Sequence, residues 1–397
     1  MSGALRLHVG SKQFSVLSTA MVEGMRSIDG DDHIAQAAHE KRKTGPEGRL
    51  NLEWCRVGRD VASVSATEEK SMTSTQPSTM VGPAHGEHRR GLYIDVHAHV
   101  FPDFYEAAMA AAGVYDVDGW PNPKWSPEAM IEVMDEHRIE AQVLSVSSPG
   151  VTFADGRDAA RLARRLNEYM AGLVHDHSPR LGSMAVLPLP DVQASLAEIA
   201  YALDELGMDG VGLLSNYRGL YLGDHRIDPV LAELNRRKAT VFVHPTIPPH
   251  WDSFTIDIPA PVLEYTFDST RMAERLVASG SKAKFADIAL IVAHGGATLP
   301  LSHQRLVKYW MDGKNDIFDT FYFELTATTE HEQIDALMAM AKPSRCMMGF
   351  DFPFMKPDWF DALQANLESY RFSPEDLHAV MRDNALRLFP KVRERLR

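Results

Sequence analysis

LYIDVHAHVFP (92–102) is the stretch on which the fold turns. Its apolar, β-branched opening reads as a buried strand, and the strand runs into Asp95-Val96-His97-Ala98-His99. Successive strand side chains alternate between faces, so His97 and His99 point to the same side. The same texture recurs downstream in AQVLSVS (141–147), LGSMAVL (181–187), DGVGLLS (209–215), ATVFVH (239–244), IALIVAH (288–294), TFYFEL (320–325) and RCMMGF (345–350). Amphipathic stretches separate these runs, among them PEAMIEVMDEHR (127–138), DAARLARRLNEYMAGLVHDH (158–177) and VQASLAEIAYALDEL (192–206). DPVLAELNRRK (228–238) and STRMAERLVASG (269–280) continue the pattern, and PEDLHAVMRDNALRLFP (374–390) follows the eighth strand. Eight strands alternating with helices over roughly 300 residues predict an α/β fold, the (β/α)8 TIM barrel. A doubly wound open sheet would want a Gly-rich phosphate loop after the first strand, and the sequence has none there.

Active sites of such barrels sit at the C-terminal ends of the strands. The first strand ends in His97 and His99, the fifth in His244, the sixth in His294, and the eighth in Asp351. A lone histidine in an apolar run is usually a hydrogen-bonded core residue. Four of them and a carboxylate gathered at one rim make that bland reading hard to sustain. Three neutral imidazoles and one carboxylate suit Zn²⁺ first, with Mn²⁺, Fe²⁺ or Co²⁺ as alternatives. A second ion would want a carboxylated lysine or a bridging carboxylate on a middle strand. The fourth strand ends instead in Leu213-Leu214-Ser215-Asn216, so one divalent ion is expected, held by His97, His99, His244 and Asp351. His294 is left as an acid or base, and Gly295-Gly296 allow backbone to approach closely.

The bulk numbers set bounds. The 397 residues are 45% hydrophobic and 24% charged, ordinary for a globular protein. A net charge of −13 argues against nucleic acid or an anionic membrane as partner, since both need basic patches. No apolar run is long enough to span a membrane. Two distant cysteines, Cys55 and Cys346, give no disulfide framework, so a reducing, cytoplasmic location is expected. Arg6, Lys12 and Arg26 would suit a mitochondrial address, but Glu23, Asp29, Asp31 and Asp32 weigh against it. Residues 1–91 are rich in Ser, Thr, Gly, His and charge without apolar periodicity, and read as a disordered N-terminal extension. Residues 92–397 form the barrel domain.

With these motifs in place, the chain resembles the amidohydrolase superfamily, and within it the aminocarboxymuconate-semialdehyde decarboxylase branch, which includes γ-resorcylate, 5-carboxyvanillate and 6-methylsalicylate decarboxylases. The resemblance rests on DVHAHVFP (95–102), VFVHPT (241–246), AHGGATLP (293–300) and GFDFP (349–353), in order and spacing, and covers residue 92 to the C-terminus. The texture of KWSPEAMIEVMDEH (124–137), LPLPDVQASLAEIAYALDEL (187–206), DGVGLLSNYRGLYLGD (209–224) and ELNRRKATVFVHPT (233–246) is similar to the 6-methylsalicylate decarboxylases. The resemblance implies that His97, His99, His244 and Asp351 bind metal, that His294 is catalytic, and that the protein is a homodimer or a dimer of dimers working in secondary metabolism. It also implies that Arg305, in LPLSHQRL (299–306), reaches the partner's active site; a solvated helix arginine is the alternative. The seventh strand departs from the pattern: FYFELTATT (321–329) carries Glu324 where many relatives carry an aspartate, and Glu324 is expected to be only a structural rim residue.

The function implied is metal-dependent, non-oxidative decarboxylation of a small aromatic, salicylate-type carboxylate, 6-methylsalicylate to m-cresol being one candidate. Protonation at the carboxyl-bearing ring carbon, by Asp351 or by His294 through water, would let CO₂ leave, with no organic cofactor. Trp120, Trp125, Phe352 and Phe354 could pack on the ring or belong to the core. The rivals are a lactone or amide hydrolase on the same scaffold, distinguished by assaying CO₂ release against ring opening, and a metal-binding scaffold without activity.

Overall fold

The computed structural model describes residues 92–313 and 315–397. The expectation for residues 1–91 lies outside the described residues. Eight parallel strands carry the fold: β1 (Tyr93–His99), β2 (Ile139–Ser145), β3 (Leu181–Val186), β4 (Gly210–Leu214), β5 (Thr240–His244), β6 (Ala289–Val292), β7 (Tyr322–Glu324) and β8 (Cys346–Met347). They pair in sequence order, each with the next. Closure comes from the segment after β8. Val96 N donates to Met348 O at 3.1 Å, His99 N to Phe352 O at 2.8 Å and Asp351 N to His97 O at 2.6 Å, and Ala98 and Phe352 form a parallel bridge. The predicted barrel is therefore the observed one, and the seam that closes it passes through the residues of the predicted metal site.

A helix follows each strand: α1 (Pro127–Glu136), α2 (Gly156–Asp176), α3 (Val192–Ala200), α4 (Asp228–Arg236), α5 (Ala260–Ala278), α6 (Leu299–Trp310), α7 (His331–Met338) and α8 (Phe360–Ser369). Local sequence explains them. Ser126 Oγ caps α1 by accepting from Ala129 N, and Asp191 caps α3 through Ala194 N. In α2, Ala159, Ala163, Leu166, Met170 and Leu173 are buried at spacings of three and four, one apolar stripe against the barrel. α5 starts nine residues before the position expected from sequence, 269, because Pro259-Ala260-Pro261 opens it with the fixed φ that suits a first helical turn.

Two apolar layers result. Ile94, Val143, Met184, Phe242, Ile291 and Met347 point into the barrel, and the C-terminal residues Ala385, Leu386, Phe389 and Val392 join this cluster. Their strand neighbours, such as Leu144, Ala185, Val241, Val243 and Leu290, face the helices. Burying a side chain of this size stabilises by about 1.5–3 kcal/mol. The inner layer fills the barrel and leaves its open end to polar groups.

Candidate metal centre and active site

His97, His99 and His244 lie at the ends of β1 and β5, and Asp351 lies four residues beyond β8. One ligand atom from each falls within 4.8 Å of the others. His97 Nε2 is 3.0 Å from His99 Nε2, and Asp351 Oδ1 is 3.3 Å from the former and 3.1 Å from the latter. Donors about 2.0–2.1 Å from one tetrahedral ion stand roughly 3.3–3.4 Å apart, so the spacing of His97, His99 and Asp351 suits a single ion, with His244 completing the group.

The other nitrogen of each ring is already engaged. His97 Nδ1 is 2.7 Å from Glu324 Oε2, and His244 Nδ1 is 2.7 Å from the Pro245 carbonyl oxygen. Ser145 Oγ donates to the Ala98 carbonyl and lies 2.9 Å from His99 Nδ1. These partners set all three rings to present Nε2 to a common centre. His97 Nε2 and His99 Nε2 face each other at 3.0 Å, an arrangement that needs a proton or a metal cation between the two nitrogens. Asp351 Oδ1 is buried with no hydrogen-bond partner, which a cation would also satisfy.

The electrostatics agree. Burial pushes His99 below its ordinary value and His244 well below it, leaving both neutral with lone pairs available. Burial would also depress His97, but the Glu324 and Asp351 carboxylates outweigh it and hold the imidazole at about 9. The site thus draws positive charge to the His97 position. Burial would raise the Asp351 carboxyl, yet His97, His294 and His99 hold it well below the usual carboxylate range. The Asp351 carboxylate and the neutral His99 and His244 imidazoles are forms that bind a divalent ion, and at His97 the ion would displace the proton.

His294 stands beside this group rather than in it. It follows β6 in a short turn, with φ of 55°. Its Nε2 is 3.9 Å from Asp351 Oδ2, and its backbone N–H donates to Glu324 Oε2 at 3.2 Å. The turn needs Gly295: a Cβ there would stand 2.3 Å from Thr328 Cγ2. Gly349 is required in the same way, since a Cβ there would lie 2.2 Å from Glu324 Oε1 and 2.6 Å from His97 Cβ.

Above the cluster opens a cavity of about 760 Å³, its wall formed largely by Val117, Trp120, Pro261, Leu301, Phe354 and Trp359, with His244, His294 and Asp351 at its polar end. Among the expected ring contacts, Trp120 and Phe354 line it, whereas Trp125 and Phe352 do not; Arg305, expected at the partner's site, is not on this cavity's wall. Phe352 is 6% exposed and packs in the helix-facing core, because the left-handed turn at Asp351, φ 56°, breaks the alternation and sends Phe354 to the cavity instead. Trp125 packs edge-on against Tyr169, centroids 6.1 Å apart. Arg305 lies exposed on α6.

The amidohydrolase family pattern matches residues 94–391. The chain belongs to the amidohydrolase family. This amidohydrolase is 34% identical over 326 residues to the 6-methylsalicylic acid decarboxylase of Aspergillus aculeatus, covering 76% of this chain and 96% of that one. It is 32% identical over 314 residues to the 6-methylsalicylic acid decarboxylase of Penicillium expansum, covering 76% and 97%. A crystal structure of an amidohydrolase II protein, 31% identical, superposes with a TM-score of 0.72 over 75% of this chain and 99% of that one.

Glu324 is the amidohydrolase site residue that sequence reading placed too far out. It is fully buried and accepts from the backbone N–H groups of Thr326 and His294 as well as facing His97. A carboxylate at the end of an otherwise apolar strand was the available signal. Asp95 lies deeper, accepting from His97 N at 2.9 Å, Phe350 N at 3.1 Å and Gln142 Nε2 at 2.8 Å, and ties β1 to β2 and to the seam.

Proposed function

We propose that this amidohydrolase is a metal-dependent carboxy-lyase that removes CO₂, without oxidation, from a salicylate-type acid, 6-methylsalicylate to m-cresol being the leading reaction. The observation that carries the reading is a largely apolar cavity, roomy enough for an aromatic acid, with a four-donor metal cluster and one further histidine at its polar end. The names of the 32–34% identical relatives point to the same chemistry. His97, His99, His244 and Asp351 would hold one divalent ion, Zn²⁺ as first choice and Mn²⁺ as second, which supplies a template and Lewis acidity for the carboxylate and the adjacent phenol oxygen. Trp120 and Phe354 present apolar faces to the ring and exclude water from it.

His294 lines the cavity within 3.9 Å of Asp351 Oδ2, so a proton can pass between these groups or directly to the ring. The proton adds to the carboxyl-bearing carbon, the C–C bond then breaks, its electron pair restores the aromatic ring, and CO₂ leaves. The atoms balance with one proton consumed and no redox partner.

We further propose a cytoplasmic homodimer in which Arg305 serves the partner's site. Its place on α6 beside Leu301, Tyr309 and Trp310, which are 76%, 71% and 68% exposed, supports that reading.

The test is to reconstitute the full chain with Zn²⁺ or Mn²⁺ and screen salicylates, resorcylates, esters and lactones by product mass and CO₂ release. CO₂ and the matching phenol are expected from a salicylate. Ester or lactone opening without CO₂ would replace this reading by a hydrolase.

A further inference from the structure

Among the described residues, two buried polar side-chain atoms without a hydrogen-bond partner belong to residues that line the 760 Å³ cavity: Asp351 Oδ1 and Thr326 Oγ1. The first is explained by the metal cluster. The second is not. Thr326 is fully buried, two residues beyond Glu324, and its backbone N–H is fixed by the Glu324 carboxylate. Its backbone carbonyl accepts from Thr328 Oγ1 at 3.1 Å. The hydroxyl is thus the one hydrogen-bonding group of Thr326 on that wall left unengaged, on a residue whose backbone is held on both sides.

Several other hydroxyls of the wall are occupied. Tyr265 donates to Asp118 Oδ2 at 2.5 Å, Thr266 to the Leu263 carbonyl at 2.7 Å, and Thr298 pairs with Thr270 at 2.7 Å. A buried hydroxyl without a partner costs about 1–3 kcal/mol, and such a group in a native protein calls for a specific explanation, a functional role among them. The cavity has a second relevant feature: no Lys or Arg lines it among the described residues. An anionic ligand there meets no cationic side chain of this chain, so beside the ion that the cluster would hold, neutral donors of the wall share in its recognition.

We propose that Thr326 is a substrate-binding residue whose hydroxyl donates a hydrogen bond to the carboxylate of the bound ortho-hydroxybenzoate. The assignment rests on the decarboxylase reading above and deepens it. It adds a polar contact to those that Asp351 and His294 offer on the same cavity wall, while Val117, Trp120, Leu301 and Phe354 present apolar faces on which ring alkyl groups are accommodated.

The experiment is calorimetric titration of the Zn²⁺-loaded full chain with two probes, salicylate and m-cresol, for the wild type, Thr326→Val and Thr326→Ser. Metal content and melting temperature are recorded alongside. Loss of a hydrogen bond to a charged group should weaken salicylate binding to the Val variant by about 10–100-fold. The Ser variant should stay within about threefold of wild type, and m-cresol should bind all three equally, since it carries no carboxylate. Thr326→Ala gives the same contrast if the Val variant does not fold. Unchanged salicylate affinity in the Val or Ala variant overturns the assignment while leaving the decarboxylase reading in place. Equal weakening of both probes also overturns it, because that is a packing effect. Failure of the metal-loaded wild type to bind any salicylate overturns the decarboxylase reading and the assignment with it.

Discussion

His97 Nδ1 and Glu324 Oε2 are 2.7 Å apart, and neither side chain is exposed to solvent. The carboxylate fixes the ring that also faces His99 and Asp351, so it would set the orientation of one proposed metal donor from outside the donor cluster. Partners of this kind are typically worth 10–100-fold in metal affinity. Glu324→Gln should therefore weaken Zn²⁺ binding by about that factor while the fold persists, as measured by competition with a chelator dye. Equal Zn²⁺ affinity in the variant would show that His97 is held by packing alone.

His294 and His244 differ in place although both follow strands. His244 Nδ1 is held by the Pro245 carbonyl and its ring belongs to the donor cluster, whereas His294 meets only the outer oxygen of Asp351. His294→Ala should keep one equivalent of metal and lose turnover by on the order of 10²–10⁴-fold. His244→Ala should lose the metal. Metal analysis and single-turnover rates on both variants separate the roles; metal loss in His294→Ala would make it a ligand.

The strand order, the barrel and the rim cluster were legible in the sequence because β-branched runs and strand-end histidines are local signals. Each strand was placed within a few residues. What escaped depends on three-dimensional closure. Asp351 and His294 have φ of 56° and 55°, so strand alternation stops just where the site is built, and Phe354 rather than Phe352 reaches the cavity. The importance of Gly349 is a matter of its distance from Glu324 and His97, residues of two other strands. Thr326 reads as one threonine among several in FELTATT, and only its buried, unpartnered hydroxyl on the cavity wall marks it out.

The barrel seam, both apolar layers and the donor cluster all lie within residues 92–397. A chain starting at residue 86 should therefore fold, bind metal and turn over as the full chain does. Circular dichroism melting and metal content check this. Loss of soluble protein would mean that the first 85 residues cover barrel surface.

Lys282 is 3% exposed, its Nζ has no hydrogen-bond partner, and the Phe321 ring lies 5.2 Å away. Burial, with a smaller contribution from Arg345, lowers its pKa from 10.5 to about 8. The folded state therefore binds fewer protons than the unfolded state between these values. Stability rises as pH climbs through that window, and the penalty for charging the amine is complete below about 8. A tenfold loss of proton affinity corresponds to about 1.4 kcal/mol, so the fall from 10.5 to about 8 is a penalty on the order of 3–4 kcal/mol, partly offset by about 0.5–1 kcal/mol from the aromatic face. Lys282→Met should accordingly be more stable than wild type at pH 7, by roughly 2–3 kcal/mol. The gap should shrink steadily as pH rises from 8 towards 10. Urea unfolding of both proteins at several pH values measures it. A variant less stable than wild type at pH 7, by an amount independent of pH, would show that the amine is retained for packing and that its charge is already compensated.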